Sequence, residues 1–323
     1  MILSIIIPMY NVSHYLEGCI KNIQIDEIDY EILMINDGSL DDSYDVANDL
    51  INVNSRIKVF SQTNKGLGGA RNLGIKNANG KYILFLDADD ILIKQNFQFL
   101  KEEVSEIIEF SSKNITSNNN ILSEFHAKNV DEKLDGISYY NDYPSMFSAC
   151  NKLYSKKFLS QHNLLFTEQI YIEDFEFNTR SFFLCKQIKS YDEQLQYFVQ
   201  VENSITRNFD KQRKIKLVND MLEVGYHIMN FTRNLTLSSL EKKFVKERLT
   251  YLTVDIIFHT LKNHLGDKFL REKINDLKKN NLYNLDYNLK HRNKDFFRKV
   301  LKFPFGLILI KFYLKKKYHE KKI

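Results

Sequence analysis

Three carboxylates stand within four residues at Asp87, Asp89 and Asp90, directly after the apolar run Tyr82 to Leu86. Like charges at that spacing repel unless a cation sits among them. A hard divalent ion, Mg²⁺ or Mn²⁺, would take one or two of the carboxylates and fill its remaining positions with water and diphosphate oxygens. A solvated acidic turn or the first turn of a helix accounts for an isolated Asp-x-Asp equally simply. A second acidic pair, Glu173-Asp174, opens a helical pattern that runs to Leu184. A carboxylate there can serve as a general base toward a hydroxyl, or merely sit well at the positive end of a helix dipole. Further polar groups follow other apolar runs: Pro8-Met9-Tyr10-Asn11, Asn36-Asp37-Gly38-Ser39, and Asn64 to Asn72, where Gly66, Gly68 and Gly69 lie between Lys65 and Arg71. Asp37-Gly38-Ser39 suits a turn as well as a base-binding carboxylate. The glycines do not make a dinucleotide fingerprint, because its third glycine would fall on Arg71, and no G-x-x-x-x-G-K-[ST] loop is present.

The elements that must carry these groups are legible from hydrophobic pattern. Short runs at Leu3–Ile7, Glu31–Ile35, Ile57–Phe60 and Tyr82–Leu86 alternate with amphipathic segments at Tyr15–Gln24, Asp42–Ile51 and Ala70–Ala78. Nearly continuous apolar strands separated by helices predict an α/β, doubly wound, mostly parallel sheet covered on both faces. Ligands on such sheets bind beyond the C-terminal ends of the strands, where all four polar clusters fall. From residue 91 to 210 the pattern is mixed, with strands expected at Ile107–Phe110 and Leu195–Val201 and a helix at Glu173–Leu184. After Lys211 only helical periodicity remains, at Ile215–Phe231, Leu240–Lys262 and Lys268–Asn280.

Six stretches, taken in order and spacing, carry a resemblance. They are SIIIPMYN (residues 4–11), EILMINDGSLDDS (31–43), NKGLGGARNLGIKNANGKYILFLDADD (64–90), NKLYSKKFL (151–159), YIEDFEF (171–177) and NSITR (203–207). Over about residues 1–210 the chain resembles the inverting, metal-dependent family 2 glycosyltransferases of GT-A fold. The resemblance implies a nucleotide-binding half at 1–90 and an acceptor half at 91–210, and the helical periodicity beyond them makes 211–323 a helical C-terminal region. It places Pro8, Tyr10 and Asp37 on the nucleotide base, and Asn64, Lys65 and Arg71 along the nucleotide pocket. Asp87 would meet the ribose or a metal-bound water, Asp89 the metal, and Asp174 would act as the base. A helix-opening arginine could equally pair Arg71 with an acid. Asp90 is expected to cap the next helix, Asn36 stands where many relatives have a second Asp, and Arg207 is a candidate contact to the diphosphate. The implied donor is a UDP-hexose and the implied acceptor a saccharide on a polyprenyl diphosphate, as in bacterial capsule, O-antigen or exopolysaccharide synthesis. Two rivals are a nucleotidyltransferase, for which the first strand end PMYN offers no triphosphate loop, and a non-catalytic sugar-nucleotide-binding protein, in which loss of the acids is expected.

Composition narrows the partners. The 323 residues are 43% hydrophobic and 27% charged with three Pro and eleven Gly, which excludes a disordered or collagenous chain. Three scattered cysteines, Cys19, Cys150 and Cys185, predict neither a disulfide framework nor a zinc site. The formal charge of +5 is uneven: residues 290–323 hold twelve Lys/Arg against two acids, a balance of +10, leaving −5 on residues 1–289. A uniformly basic nucleic-acid surface is therefore not expected. In 290–323 basic residues flank an apolar segment of about ten residues, too short to span a bilayer but suited to lying in an anionic lipid interface. The alternatives are a helix packed on the body or a disordered end. With neither a signal peptide nor a spanning segment in the pattern, a cytoplasmic protein held at the inner face of the cell membrane is expected.

Overall fold

The computed structural model describes residues 1–25, 28–94, 96–200 and 210–319. Two compact units divide the chain, Met1–Ser204 and Ile205–Ile323. In the first, strands β1 (Leu3–Met9), β2 (Tyr30–Asn36), β3 (Ile57–Ser61) and β4 (Tyr82–Phe85) alternate with helices α1 (Ser13–Asn22), α2 (Ser43–Val53) and α3 (Gly66–Asn77). The strands pair in parallel in the order β3-β2-β1-β4. Every residue of β1, β2 and β4 is buried, as the unbroken apolar runs require when helices cover both sheet faces. Met9 pairs with Asn36, and Leu86 N–H donates to the Ile6 carbonyl at 3.0 Å, so the strands end side by side along one edge.

The sheet continues through β5 (Ile91–Leu92), β6 (Ile107–Thr116), β7 (Ile121–Phe125), β8 (Val130–Leu134), β9 (Lys152–Ser155) and β10 (Ile188–Gln200), with helices α4 (Gly136–Asp142), α5 (Lys156–Gln161) and α6 (Glu173–Leu184). Beyond β4 the order is β9-β6-β10-β5, with β9 antiparallel to both its neighbours and β6 parallel to β10. One apolar core, including Ile5, Ile7, Met34, Leu84, Phe110 and Leu153, runs through both halves of the sheet.

Two buried polar networks brace the sheet. Glu31 accepts from Ser4 Oγ at 2.7 Å, Lys58 Nζ at 2.8 Å and Asn79 N at 2.6 Å. Burial alone would raise its pKa, but these donors outweigh it and hold the carboxyl below its usual range. Farther along the sheet, Lys152 and Glu109, both fully buried, pair at 2.9 Å. Lys152 Nζ also donates to the carbonyls of Met146 and Ser148, and Met146 N–H donates to Glu109. An ion pair removed from water persists only where such extra hydrogen bonds satisfy it. Here those bonds fix the loop that precedes β9.

The second unit is helical: α7 (Lys211–Thr232), α8 (Ser239–Lys262), α9 (Asp267–Lys279), α10 (Arg292–Leu301) and α11 (Gly306–His319). Ser238 and Glu241 form a reciprocal capping box at the start of α8. Ile310 and Leu314 of α11 are buried with Ile257, Leu261 and Leu270. Among the described residues no helix is long and apolar enough to cross a membrane. The described part of the tail thus forms two helices, with most of its short apolar segment in α11, which is packed on one side.

Candidate active site

At the first strand end Pro8 lies within β1 opposite Ile35, while Tyr10 is 42% exposed. Asn11 adopts a left-handed φ of 56° and ties this end to the next loop, accepting from Leu40 N at 2.7 Å and donating from its own N–H to Ser39 Oγ at 3.2 Å. Asn36 donates to Ser61 Oγ and accepts from Ser39 N, so the residue that replaces a second Asp braces its turn. Asp37 is buried, which pushes its pKa up against the donors that reach it. It accepts from Gln62 Nε2 at 2.7 Å and Lys65 N at 2.9 Å. The carboxylate therefore shapes the loop carrying Asn64 and Lys65. Asn64 Oδ1 accepts from Gly66 N, and Lys65 Nζ lies 3.6 Å from Glu168, both partners half-exposed.

Arg71 stands at the centre. Only 1% exposed, it donates from Nη1 to Glu173 at 3.0 Å and to Asp174, and from Nη2 to Asp87 at 3.1 Å. Nη2 also reaches Cys150 Sγ at 3.5 Å, and the guanidinium lies over the rings of Phe85 and Phe166 at 5.8 and 5.2 Å. Burial would lower the arginine's pKa, but Asp174 above all, with Cys150, Asp87 and Glu173, drives it well above the ordinary value. Of the two readings the sequence left open for Arg71, the contacts seen are those with acids. The planar fork suits the task, since several donors must reach carboxylates from different elements at once.

That convergence depends on α3 lying close to the chain before α6. A Cβ on Gly68 would stand 2.5 Å from the Thr167 carbonyl. Asn72 exchanges two hydrogen bonds with the backbone of Phe166, at 2.8 and 2.9 Å, and Gln169 N–H donates to the Lys65 carbonyl. Ile172, at a φ of 59°, then turns the chain so that Glu173 and Asp174 open α6. A β-branched residue in the left-handed region costs roughly 1–3 kcal/mol and persists only where surrounding contacts dictate it. Asp174 Oδ2 accepts from Ala149 N at 2.9 Å, on the loop fixed by Lys152. Its side chain keeps 23% of its surface exposed. Burial, and then the adjacent Asp174, raise the pKa of Glu173.

The acidic cluster after β4 divides. Asp87 faces Arg71 and is partly exposed. Asp89 has its carboxyl pushed up to about 6, first by burial and then by Asp87. Asp90 is buried and accepts from Val199 N at 2.9 Å. The helix that Asp90 was expected to cap is absent, since the two-residue β5 follows, and its carboxylate instead pins β10 beside the site. Among the described residues no three or more His, Cys, Asp and Glu are grouped to hold a metal ion. Two carboxylates suffice for Mg²⁺ or Mn²⁺, which retain water or take phosphate oxygens. Arg71 already meets Asp87, but burial and then Asp87 act against a charged Asp89; a cation there would offset both, so the donor set fits such an ion.

Arg71, Asp87 and Asp174 are thus brought together, whereas Pro8 near the end of β1 and Tyr10, Asp37, Asn64 and Lys65 after β1, β2 and β3 make none of the hydrogen bonds that join those three. Residues 203–207, with Arg207, lie outside the described residues. Sequence reasoning missed Cys150, Asn72, Phe166 and the Ala149 N–H as parts of this arrangement. Only Asn72, inside the Gly-rich stretch and adjacent to Arg71, carried a local signal.

Comparison with known proteins bears on the family and the fold. Residues 4–163 match the family model described as glycosyl transferase family 2. The chain is 33% identical over 216 residues to the uncharacterized glycosyltransferase EpsJ of Bacillus subtilis, covering 64% of this chain and 63% of that protein. The match therefore spans just under two thirds of the relative's length. Among solved structures, S. aureus TarS 1–349 in complex with UDP-GlcNAc is similar over 99% of this chain and 92% of that one, with 18% identity and a TM-score of 0.66. The mannosyltransferase PcManGT of Pyrobaculum calidifontis, in complex with GDP-Man and Mn²⁺, is similar over 99% and 88%, with 12% identity and a TM-score of 0.52. At these identities the two structures speak to the fold alone, which is GT-A.

Proposed function

The chain is a member of glycosyl transferase family 2 through residues 4–163, and we propose that it transfers a hexose with inversion from a UDP-hexose to a hydroxyl of a lipid-linked saccharide, in synthesis of a bacterial surface polysaccharide. The observation that carries this reading is the meeting of Asp87, Arg71 and Asp174, groups from three separate stretches of chain, beside the C-terminal ends of β1, β2 and β4. The UDP-GlcNAc held by TarS and the GDP-Man and Mn²⁺ held by PcManGT support a nucleotide-sugar donor and a divalent ion.

Tyr10 and Asp37 would receive the base, and Asn64 and Lys65 the nucleotide beside it. Asp89, with Asp87, would hold Mg²⁺ or Mn²⁺, which when bound stabilises charge on a departing diphosphate. Asp174 would take the proton of the acceptor hydroxyl as it attacks the anomeric carbon from the face opposite the leaving group. Arg71 and the Ala149 N–H each engage one of its oxygens and so fix its direction, leaving lone pairs for that proton. The acceptor's lipid carrier would place the protein at the inner face of the cell membrane, with the basic tail meeting anionic lipid.

Incubation of the full chain with a panel of nucleotide sugars and Mn²⁺, measuring released nucleoside diphosphate, tests the class. Release of pyrophosphate from a nucleoside triphosphate would favour a nucleotidyltransferase, and binding without release a sugar-nucleotide-binding protein. Asp174→Asn is expected to lower transfer by about 10²-fold or more while UDP binding stays as in the native chain. Undiminished transfer by that variant would reject the assignment of the base.

A further inference from the structure

Helix α11 is apolar on two opposite sides. Leu307, Ile310 and Leu314 recur at helical spacing and pack with Ile257, Leu261 and Leu270 in the core of the helical unit. On the other side Ile308, Leu309 and Phe312 form a second stripe, which Phe303 and Phe305 continue just before the helix. These five side chains are between 60 and 77% exposed. Single exposed apolar residues are ordinary, but a contiguous group of this size on one helix marks a surface that water does not normally cover.

What surrounds the stripe identifies its counterpart. Lys316 continues it one turn on and is exposed, while Lys302 and Lys311 flank it, paired with Asp286 at 3.3 Å and Asp267 at 2.6 Å. Residues 290–323 as a whole carry +10. Large aromatic and aliphatic groups bordered by lysines match the two layers of an anionic bilayer interface, acyl boundary below and phosphate headgroups above. A face seeking another protein's apolar patch would gain little from so many cations of one sign.

We propose that this outer face of α11, centred on Ile308, Leu309 and Phe312, is a docking surface for anionic phospholipid, on which the helix lies in the plane of the interface while its inner face stays packed. The inference deepens the membrane part of the proposed function and is independent of its chemistry. Because Ile310 and Leu314 hold α11 to the fold, the surface belongs to the folded unit and is not a detachable tail.

The test uses the full chain and sedimentation with vesicles of phosphatidylglycerol and phosphatidylcholine, against pure phosphatidylcholine. The native chain is expected to bind the anionic vesicles and not the neutral ones. The triple variant Ile308→Ser, Leu309→Ser and Phe312→Ser, which spares the packed face and is checked for an unchanged melting temperature, is expected to bind on the order of tenfold or more weakly. The pair Lys316→Glu and Lys317→Glu should weaken binding too, and added salt should have the same effect. Equal binding by the triple variant would overturn this face, as would a native chain that self-associates through it and leaves vesicles untouched. Nucleotide release measured on the same variants separates the outcomes: unchanged release with lost vesicle binding supports the surface, whereas absent release in every form counts against the chemistry alone.

Discussion

A buried guanidinium facing three carboxylates cannot be removed without leaving those charges uncompensated. Arg71→Met should therefore destabilise the fold by about 3–5 kcal/mol, the scale seen when one partner of a buried charge network is deleted. Arg71→Lys keeps the charge but offers one ammonium where the fork now serves Asp87, Glu173 and Asp174 together. It should lie between the two in urea unfolding, and an Arg71→Met variant within about 1 kcal/mol of the native chain would contradict the clamp. None of this pairing is written locally. Glu173 and Asp174 lie 102 and 103 residues from Arg71, and no periodicity links positions so far apart. The sequence did reveal the types of group that matter, because buried strand ends rarely carry acids without reason. It could not reveal that Asp37 would be engaged by Gln62 and Lys65, or Asp90 by Val199, since those partners are set by how loops fold over one another.

Among the elements, α3 is the one whose position the site can least afford to lose. Gly68→Ala would drive a methyl group into the Thr167 carbonyl, a backbone atom that cannot step aside as a side chain would. A loss of about 1–3 kcal/mol in stability is expected, with lowered transfer as the chain leading to Asp174 shifts. Gly18→Ala in α1, where nothing lies within 4 Å, should instead gain about 0.5–1 kcal/mol and leave activity alone. Equal melting temperatures for the two variants would remove this account of α3. Helix α10 gives a pH-dependent case. Burial pushes the Asp295 carboxyl up, but hydrogen bonds from Arg298, the Leu289 N–H and Lys299 outweigh it and leave the group at about 2. Its contribution is thus present above the ordinary value near 3.8 and lost as pH falls toward 2, a difference of roughly 1–2 kcal/mol after solvent screening. Asp295→Asn should flatten the acid arm of the stability curve in that window, and an unchanged arm would refute the linkage. Strands β1, β2 and β4 were legible because burial on both faces makes their sequences continuously apolar, and the half-exposed edge strand β3 through the short run Ile57–Phe60. From β5 to β10 the helix at Glu173–Leu184 and parts of β6 and β10 were legible, whereas antiparallel β9 was not, because it is four residues long and carries the buried Lys152, nor was the β6–β10 register, which shifts at Tyr191, Gln194 and Gln196.

At the scale of the molecule, charge is divided unevenly along the chain: −5 over residues 1–289 and +10 over residues 290–323. An anionic donor approaching the acidic part meets long-range repulsion, and its attraction is confined to the proposed metal position and the nearby loops. Anionic lipid approaching the basic segment meets attraction over the whole distance within which charges are felt, about 10 Å at 0.1 M salt. Salt should therefore act unequally on the two events. Raising sodium chloride from about 0.05 to 0.5 M should weaken vesicle binding by tenfold or more, since exposed lysines are readily screened. Donor binding in the presence of Mn²⁺ should change by no more than about twofold, because short contacts in a partly buried site are screened far less and the lost long-range term is repulsive. Vesicle sedimentation and calorimetric titration with UDP, run in the same buffers, measure both. A parallel loss of the two affinities would mean that the basic segment also attracts the donor, and the division of tasks between the acidic and basic parts of the chain would fail.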